Sequence, residues 1–285
     1  MRSVGVIGLG LIGGSMAKAF SEKTKAKVYG YDLSSEVVSQ AIKDGVIDGD
    51  LNEHFGETDL LIVALYPDLV VPAVMSAAKK LKKGCIIVDC TGVKGFVCEK
   101  LSGPLKDMGL FFIGGHPMAG KEVAGYKNAG ADLFSGASMI LCRDENTDED
   151  ALKKASEVFM QLGFSMVKIS TPKEHDRVIA YTSQLAHVVS SAYVKSSTLP
   201  ERYGYSAGSF KDLTRVAKLN EEMWADLFLA NDDEILAQIT EIESHLKEYE
   251  TAVRNRDREK LVALLRDGRI RKEEDESKEK AYRNG

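Results

Sequence analysis

One histidine of this sequence stands in a setting that suits proton transfer. The stretch GGHPMAG, residues 114–120, follows the apolar run 110–113 and places His116 after two glycines and before Pro117. Pro117 restricts the preceding backbone to an extended conformation, and the glycines permit close approach of a ligand. A neutral imidazole, with a reference pKa of about 6.5, can take a proton from an alcohol while a hydride leaves. We therefore predict that His116 is catalytic, the alternative being a turn histidine that caps backbone groups.

The stretch GLGLIGG, residues 8–14, has the spacing of a dinucleotide-binding loop, with Gly8, Gly10 and Gly13 as G-x-G-x-x-G and Asp32 nineteen residues further on. The glycines allow the tight turn, the approach of a pyrophosphate to a helix N-terminus, and close packing of helix on strand. Asp32 is expected to accept hydrogen bonds from ribose hydroxyls and to repel a 2′-phosphate, which favours NAD over NADP. A flavin remains compatible with the motif alone. Further cofactor contacts are predicted for Leu11, Ile12 and Leu65.

The stretch DCTGVKG, residues 89–95, follows another apolar run. Thr91 can donate or accept a hydrogen bond there, and the backbone at Gly92 can approach a ligand. Lys94 suits a phosphate or carboxylate, but a lysine in this position more often forms a local salt bridge. A plain β-to-α turn is the alternative for the whole stretch.

A third group of candidates lies in the C-terminal half. His187 shares a predicted helical face with a serine four residues before it, which also suits a satisfied core histidine. Arg215 lies on a partly apolar helix and needs a carboxylate partner, either from a substrate or from an acid such as Asp212 or Glu222. Trp224, the single tryptophan, is a candidate for the core as much as for a site.

The composition is that of an ordinary globular chain. It has 285 residues, 44% hydrophobic and 28% charged, with a formal net charge of -5. No basic surface for nucleic acid is expected from this balance. No apolar stretch reaches the roughly 18 residues of a membrane span, and the N-terminal run is broken by glycines without a cleavage signal. We expect a cytoplasmic protein with no membrane partner.

The four cysteines give no sign of a metal site. Neither a C-x-x-C pair nor histidines at metal spacing accompany them, so reduced and mostly buried thiols are expected. The positions concerned are Cys85, Cys90, Cys98 and Cys142.

The pattern of apolar runs predicts an α/β fold, a Rossmann-type doubly wound parallel sheet followed by an all-helical C-terminal domain. Strands are predicted at 3–7, 27–31, 59–65, 85–90, 110–113, 138–142 and 166–169. Helices are predicted at 173–197, 206–218, 221–254 and 257–265. The corresponding domains are a dinucleotide-binding domain over 1–171, a helical substrate and dimerisation domain over 172–267, and a charged, frayed tail over 268–285.

An apolar stripe runs along the predicted helix 221–254. It consists of Ile235, Ile239, Ile242 and Leu246. Packing within one chain and association with a second subunit are equally compatible with this spacing.

Several motifs together carry a family resemblance. They are GLGLIGGS, GYD, D-x-x-G-V-K, GGHPMAGKEVAGY, and F-K-D-L-T-R-x-A with tryptophan nine residues after the arginine. From residue 1 to about residue 250 the chain resembles the prephenate and arogenate dehydrogenases of tyrosine biosynthesis. The resemblance implies a small-molecule dehydrogenase that uses NAD for the oxidative decarboxylation of prephenate to 4-hydroxyphenylpyruvate, and a homodimer formed through the helical domain.

The resemblance also implies roles for individual residues. His116 matches the histidine that accepts the proton of the ring hydroxyl, and Arg215 matches the arginine that binds the ring carboxylate. His187 matches a histidine near the substrate side chain, while Gly208 and Trp224 match positions that line the pocket near or across the subunit boundary.

Two departures from the family pattern concern the site. The family usually has G-S-V-K where this chain has T-G-V-K at 91–94, so the serine that supports the catalytic histidine is absent and Thr91 is predicted to take its role. Gln184 replaces the first histidine of S-H-x-x-H, which leaves the choice between a keto-acid and an amino-acid side chain open. Prephenate is the first expectation and arogenate the second.

Two other interpretations stay open. A β-hydroxyacid or imine-reducing dehydrogenase would share the architecture but use a lysine on the first long helix of the second domain, where Lys173 and Lys195 lie only near the ends. A non-catalytic NAD sensor would keep the fold without needing His116 and Arg215 at the nicotinamide.

Overall fold

The computed structural model describes residues 1–121 and 123–284. Glu122, which belongs to the GGHPMAGKEVAGY motif, and Gly285, the last residue of the predicted tail, lie outside the described residues. The chain separates into two compact units, the first being Met1–Ile235 and the second beginning at Leu236. In the described part of the chain, no helix is long and apolar enough to span a membrane.

The first unit is built on one eight-stranded sheet with the order β3-β2-β1-β4-β5-β6-β7-β8. The strands are β1 (Ser3–Ile7), β2 (Lys27–Tyr31), β3 (Gly49–Asp50), β4 (Leu60–Val63), β5 (Ile86–Asp89), β6 (Phe111–Pro117), β7 (Ser138–Cys142) and β8 (Met166–Ser170). All seven predicted strands are present, and β3 was not predicted. The Rossmann-type fold with a helical C-terminal region is therefore confirmed.

The sheet is parallel, as predicted, at every described pair except one, because β6 and β7 are antiparallel. The strand that was expected to end at Ile113 continues to Pro117, and His116 is paired with Ile140 instead of following the strand. The glycines before it permit this extension. A side chain at Gly115 would lie 2.5 Å from the carbonyl oxygen of Asp89. The backbone of β6 therefore approaches β5 more closely than any larger residue would allow.

Helices cover both faces of the sheet. The nucleotide half carries α1 (Leu11–Lys23), α2 (Ser35–Lys43), α3 (Pro67–Ala78), α4 (Gly95–Asp107) and α5 (Glu149–Gln161). Alternate residues of β4 serve the two sides: Leu60 and Ile62 join the core beneath α1 and α5, whereas Leu61 and Val63 join the core beneath α3 and α4. Burial on both faces explains why these strands are continuous apolar runs.

The C-terminal helices are α6 (Pro172–Ile179), α7 (Leu185–Tyr193), α8 (Gly208–Thr214), α9 (Glu221–Leu229), α10 (Asp232–Arg254) and α11 (Arg258–Asn284). The first predicted helix is present but contains a π-helical turn over Ala180–Gln184. The predicted helix 221–254 is divided at Asn231, whose buried side chain makes tertiary hydrogen bonds. Helix starts follow from local chemistry: Thr171 caps α6 and Asn220 caps α9 with side-chain oxygens that accept backbone N–H groups.

The predicted tail is helical. Helix α11 runs through residues 268–284 with exposed side chains as far as Ala281. Charged pairs four residues apart stabilise such a helix without burial, and Arg269 binds Glu273 in this way. The expectation of a frayed segment is therefore wrong, while its solvent exposure is as expected.

Candidate active site

The glycine loop forms a narrow turn at the carboxyl end of β1. Gly8 has φ +85°, and a side chain there would lie 2.4 Å from the carbonyl oxygen of Ala64. A side chain at Gly13 would lie 1.8 Å from the carbonyl oxygen of Gly8, so helix α1 could not approach the turn with any larger residue. Around Gly10, in contrast, no described residue lies within 4 Å of the position that a Cβ atom would occupy. The loop is thus closed at two glycines and open to a ligand at the third.

The open side of the loop faces the start of α1. No side chain caps this helix, and its first turn carries no acidic residue, so its N–H groups remain available to an anion. Asp32, at the end of β2, is held by N–H donors from Leu9 at 2.8 Å and from Ser34 at 3.0 Å. These residues fit a dinucleotide, with a pyrophosphate over Gly10 and a ribose at Asp32.

The other predicted cofactor neighbours lie around this loop. Leu11 and Ile12 form the first turn of α1 and are half-buried. Leu65 follows β4, and its Cδ2 atom would be 2.9 Å from a side chain at Gly8. All three therefore border the space that a dinucleotide would occupy.

His116 is connected to two residues of α6. Its Nδ1 lies 2.9 Å from Nε2 of His175, and Nδ1 of His175 lies 2.7 Å from Oδ1 of Asp176. Burial lowers the pKa of His116 well below its ordinary value, and the neighbouring His175 and Lys94 lower it further. The imidazole of His116 is therefore neutral at physiological pH and can accept a proton.

The stretch 89–95 forms a buried ion pair beside this histidine. Lys94 binds Asp89, and neither side chain is exposed. The hydroxyl of Thr91 lies 2.5 Å from Asp89 Oδ2, and it accepts a hydrogen bond from Lys94 Nζ at 3.0 Å. Of the two readings of Lys94, the local salt bridge is the one observed. The hydroxyl of Thr91 faces the ion pair, and the ring of His116 contacts His175. The catalytic role of Thr91 stays a prediction.

Three predicted substrate residues lie together in the helical part. The ring of His187 stacks on Trp224 with centroids 3.7 Å apart, and its Nδ1 donates to the carbonyl oxygen of Ser183 at 2.9 Å. Burial lowers the pKa of His187, and the positive charge of Arg215 lowers it further. Trp224 is half-buried, and its ring forms a shared surface with that of His187. Gly208 begins α8, the helix that leads to the turn containing Arg215.

Helix α9 links this cluster to His116. A side chain at Gly92 would lie 3.1 Å from Leu227 of α9 and 3.9 Å from Cε1 of His116. The backbone carbonyl of Leu227 accepts a hydrogen bond from Gln184. Gln184 is thereby turned into a buried network and is 1% exposed, so it is not placed to read a substrate side chain.

Sequence reasoning missed His175, Asp176 and Leu227. The signal for the first two was present as a titratable His-Asp pair in the short helix that begins at Pro172. Leu227 carries no comparable signal, because one leucine of an apolar helix face resembles any other.

The described residues include no cluster of three metal-ligating side chains. All four cysteines are free thiols, and burial raises the pKa of Cys85 and Cys142 to about 12. The thiols are thus inert at physiological pH.

Two family models match this chain. The model for the nucleotide-binding domain of prephenate dehydrogenase matches residues 16–168, and the model for the dimerization domain of prephenate dehydrogenase matches residues 171–267. Between them they span most of the sheet, from β2 onward, and most of the helical region.

Known proteins resemble the chain over most of its length. It is 32% identical over 277 residues to the cyclohexadienyl dehydrogenase of Zymomonas mobilis, with 92% of each chain covered. It is 31% identical over 269 residues to the prephenate dehydrogenase of Bacillus subtilis, and the matched region covers 91% of this chain and 72% of that protein. The crystal structure of prephenate dehydrogenase from Aquifex aeolicus in complex with hydroxyphenyl propionate and NAD+ is 32% identical, with a TM-score of 0.82 over 96% of this chain and 98% of that one. Sequence, geometry and these matches agree that the chain belongs to the prephenate dehydrogenase family.

Proposed function

We propose that the protein is an NAD-dependent prephenate dehydrogenase that converts prephenate to 4-hydroxyphenylpyruvate and carbon dioxide. The observation that carries the proposal is the placement of His116. Its imidazole has a lowered pKa and lies at the end of β6, on the same edge of the sheet as the glycine loop. The carboxyl ends of parallel strands are where such folds bind their ligands.

The nucleotide half holds the cofactor. The open space at Gly10 and the uncapped start of α1 receive the pyrophosphate, and Asp32 accepts hydrogen bonds from the ribose. Leu11, Ile12 and Leu65 border the same space. NAD, when bound, supplies the acceptor for the hydride that leaves the carbinol carbon of the substrate. The carboxylate of Asp32 disfavours the additional phosphate of NADP by like charge.

His116 takes the proton of the ring hydroxyl as the hydride leaves. The electrons of the bond to the departing ring carboxylate enter the ring, which becomes aromatic. The proton held at His116 returns to the phenolate oxygen of the product, so the residue ends the reaction neutral, as it began. A general base with this geometry contributes about 10²–10⁴-fold to the rate.

Arg215 binds the ring carboxylate, and His187 with Trp224 forms the wall near the substrate side chain. The support for this assignment is the closeness of the three residues and the charge of Arg215 felt by His187. Guanidinium and carboxylate match each other with two parallel hydrogen bonds, which orient the ring. Gly208 leaves the start of α8 without a side chain beside this wall.

We further propose that the protein is a homodimer formed through its helical region. Large apolar side chains are exposed there, including Tyr205 at 92%, Leu229 at 75% and Leu246 at 61%. Exposed apolar surface of this kind marks an association surface. Sedimentation velocity should give the mass of two chains, and a monomer at micromolar concentration would contradict this part of the proposal.

The first test is turnover by the purified protein with prephenate or arogenate and with NAD or NADP, followed by absorbance of the reduced cofactor. Prephenate with NAD is the expected pair, and faster turnover of arogenate would reassign the side chain. His116→Asn should lower kcat by about 10²-fold or more while NAD binding survives. NAD binding without turnover of either substrate would overturn the enzyme proposal in favour of a sensor.

A further inference from the structure

His116 is the end of a chain of three side chains that begins at the junction of α4 and α6. Asp176 and His175 lie in the middle of α6, 59 residues or more from His116 in sequence, and their contacts run in series to its ring. We propose that Asp176 and His175 are positioning residues that hold His116 in the tautomer whose Nε2 is unprotonated. The use of that tautomer in catalysis rests on the function proposed above. The assignment of the tautomer rests only on the hydrogen bonds of the three side chains.

Asp176 is the anchor of the chain. Its Oδ1 accepts a hydrogen bond from the backbone N–H of Lys94 at 2.7 Å, and its Oδ2 accepts one from Gly95 at 2.7 Å. These are the first N–H groups of α4, where the helix dipole favours a negative charge. A side chain at Gly95 would lie 2.9 Å from Oδ2, so the carboxylate is seated against bare backbone. The donors fix both oxygens as acceptors.

The proton positions follow from this anchor. A carboxylate oxygen can only accept, so Nδ1 of His175, which lies 2.7 Å from Oδ1, carries a hydrogen. Burial lowers the pKa of His175, which keeps this ring neutral. A neutral imidazole with a hydrogen at Nδ1 has a lone pair at Nε2. Nδ1 of His116, 2.9 Å away, must therefore donate, and Nε2 of His116 is left unprotonated.

The same arrangement stabilises the proton that His116 receives. With protons on both nitrogens, the ring carries a positive charge, and its Nδ1–H continues to donate to His175. The carboxylate of Asp176, which follows His175 in the series of hydrogen bonds, has the opposite charge. Lys94, which is paired with Asp89, opposes the positive charge on His116 and thereby lowers its pKa.

A purely structural role for Asp176 makes a different prediction. If Asp176 only caps α4, any side chain that accepts from the two N–H groups would serve, and the protonation of His116 would not change. Asp176→Ala separates the two roles by its effect on the imidazoles. It removes the acceptor from Nδ1 of His175, so both tautomers of His175, and through it both tautomers of His116, should be populated.

The test is the ¹⁵N NMR spectrum of the full-length protein with labelled histidines, in which protonated and unprotonated ring nitrogens are well separated. The His116 signals are assigned by their loss in His116→Asn. We expect unprotonated Nε2 in the parent protein and a mixture of both tautomers in Asp176→Ala. Asp148→Ala is the matched control, since Asp148 caps α5 through the N–H of Ala151 and contacts no imidazole among the described residues, and it should leave the spectrum unchanged.

Kinetics give a second readout. Asp176→Ala should lower kcat by about tenfold or more, with NAD affinity changed by less than about 2-fold. If that variant does not fold, His175 is tested directly. His175→Gln can present an amide oxygen to Nδ1 of His116 and should retain the parent tautomer, whereas His175→Leu removes the acceptor and should populate both tautomers.

A protonated Nε2 in the parent protein, or an unchanged His116 spectrum in Asp176→Ala or His175→Leu, would overturn the proposal. The spectrum needs no substrate. A protein that shows the expected tautomer but turns over neither substrate would therefore refute the proposed function and leave this inference standing.

Discussion

Asn231 donates a hydrogen bond of 2.8 Å to Oε1 of Gln184, and the same amide group donates to the backbone carbonyl of Asp176 at 3.0 Å. All three residues are buried. The pair thus joins the start of α10 to α6 and to the π-helical turn, and through Gln184 to α9. A glutamine that the sequence suggested as a determinant of substrate choice serves to hold the helices that carry the site.

Asn231→Ala should therefore destabilise the protein by about 1–3 kcal/mol, because it leaves buried acceptors on Gln184 and Asp176 without a donor. Loss of these hydrogen bonds should also displace α9, which Gln184 holds through Leu227, and so raise KM for the substrate. Urea unfolding and steady-state kinetics measure the two effects. Asn128→Ala is the control, since its hydrogen bond to Ala124 is exposed, and it should cost less than about 0.5 kcal/mol. Equal losses in the two variants would refute the role of the network.

Gly10→Ala should separate cofactor binding from folding. A methyl group at Gly10 would have no neighbour within 4 Å among the residues that the structure describes, so the melting temperature without ligand should be nearly unchanged. The same methyl group occupies the space proposed for the pyrophosphate, and Kd for NAD should rise about tenfold or more, which is about 1.4 kcal/mol. Calorimetric titration with NAD measures the change. Gly103→Ala on α4 is the control, and a loss of affinity there as large as at Gly10 would contradict the assignment.

The pKa of His116 predicts the acid limb of the pH profile. Burial holds this pKa below the ordinary value of about 6.5, and the base must be neutral to act. The plot of log kcat/KM against pH should therefore stay level through pH 6.5 and fall only at lower pH, with an apparent pKa that belongs to the coupled pair of His116 and His175. His245→Asn, at an exposed histidine of α10, should leave the profile unchanged. A limb centred at or above pH 6.5 would contradict the assigned base.

The stability of the folded protein should decrease with falling pH, as kcat/KM does. Because the pKa values of His116 and His175 are lower in the folded than in the unfolded chain, the unfolded chain binds protons first as pH falls below about 6.5. Their contribution to stability is present above that pH and is lost progressively below it. Thermal melts between neutral and mildly acidic pH measure this slope, which should be shallower in His116→Asn.

Lys94→Met should be strongly destabilising. The side chains of Lys94 and Asp89 are both fully buried, and removal of one partner leaves an uncompensated charge, at a cost of about 3–5 kcal/mol. Lys82→Met is the matched control, since Lys82 pairs with Asp59 at a side-chain exposure of 41% and should contribute less than about 1 kcal/mol. Chemical denaturation of both variants measures the loss in free energy of unfolding. Similar losses in the two variants would show that the buried pair stabilises the fold no more than the exposed pair does.

Features that depend on neighbouring residues could be predicted from the sequence. The bounds of β1, β2 and β7 agree with the structure residue by residue, because continuous apolar runs between turn residues leave little choice of strand. The glycine loop was predicted for the same reason, since the tight turn and the bare backbone at its helix start are properties of Gly8, Gly10 and Gly13 themselves. His116 was also found, from its place at the end of an apolar run, although its role in the reaction stays a prediction.

Contacts between distant segments were decided only by the tertiary structure. The sequence determined which residues could do chemistry, but not that Thr91 would turn into a buried ion pair or that His175 would meet His116. Those outcomes depend on the seating of Asp176 against the bare N-terminus of α4 and on the antiparallel pairing that extends β6 to Pro117. A pattern of residue types reports local periodicity and burial, whereas a hydrogen bond across 59 residues depends on how whole elements pack.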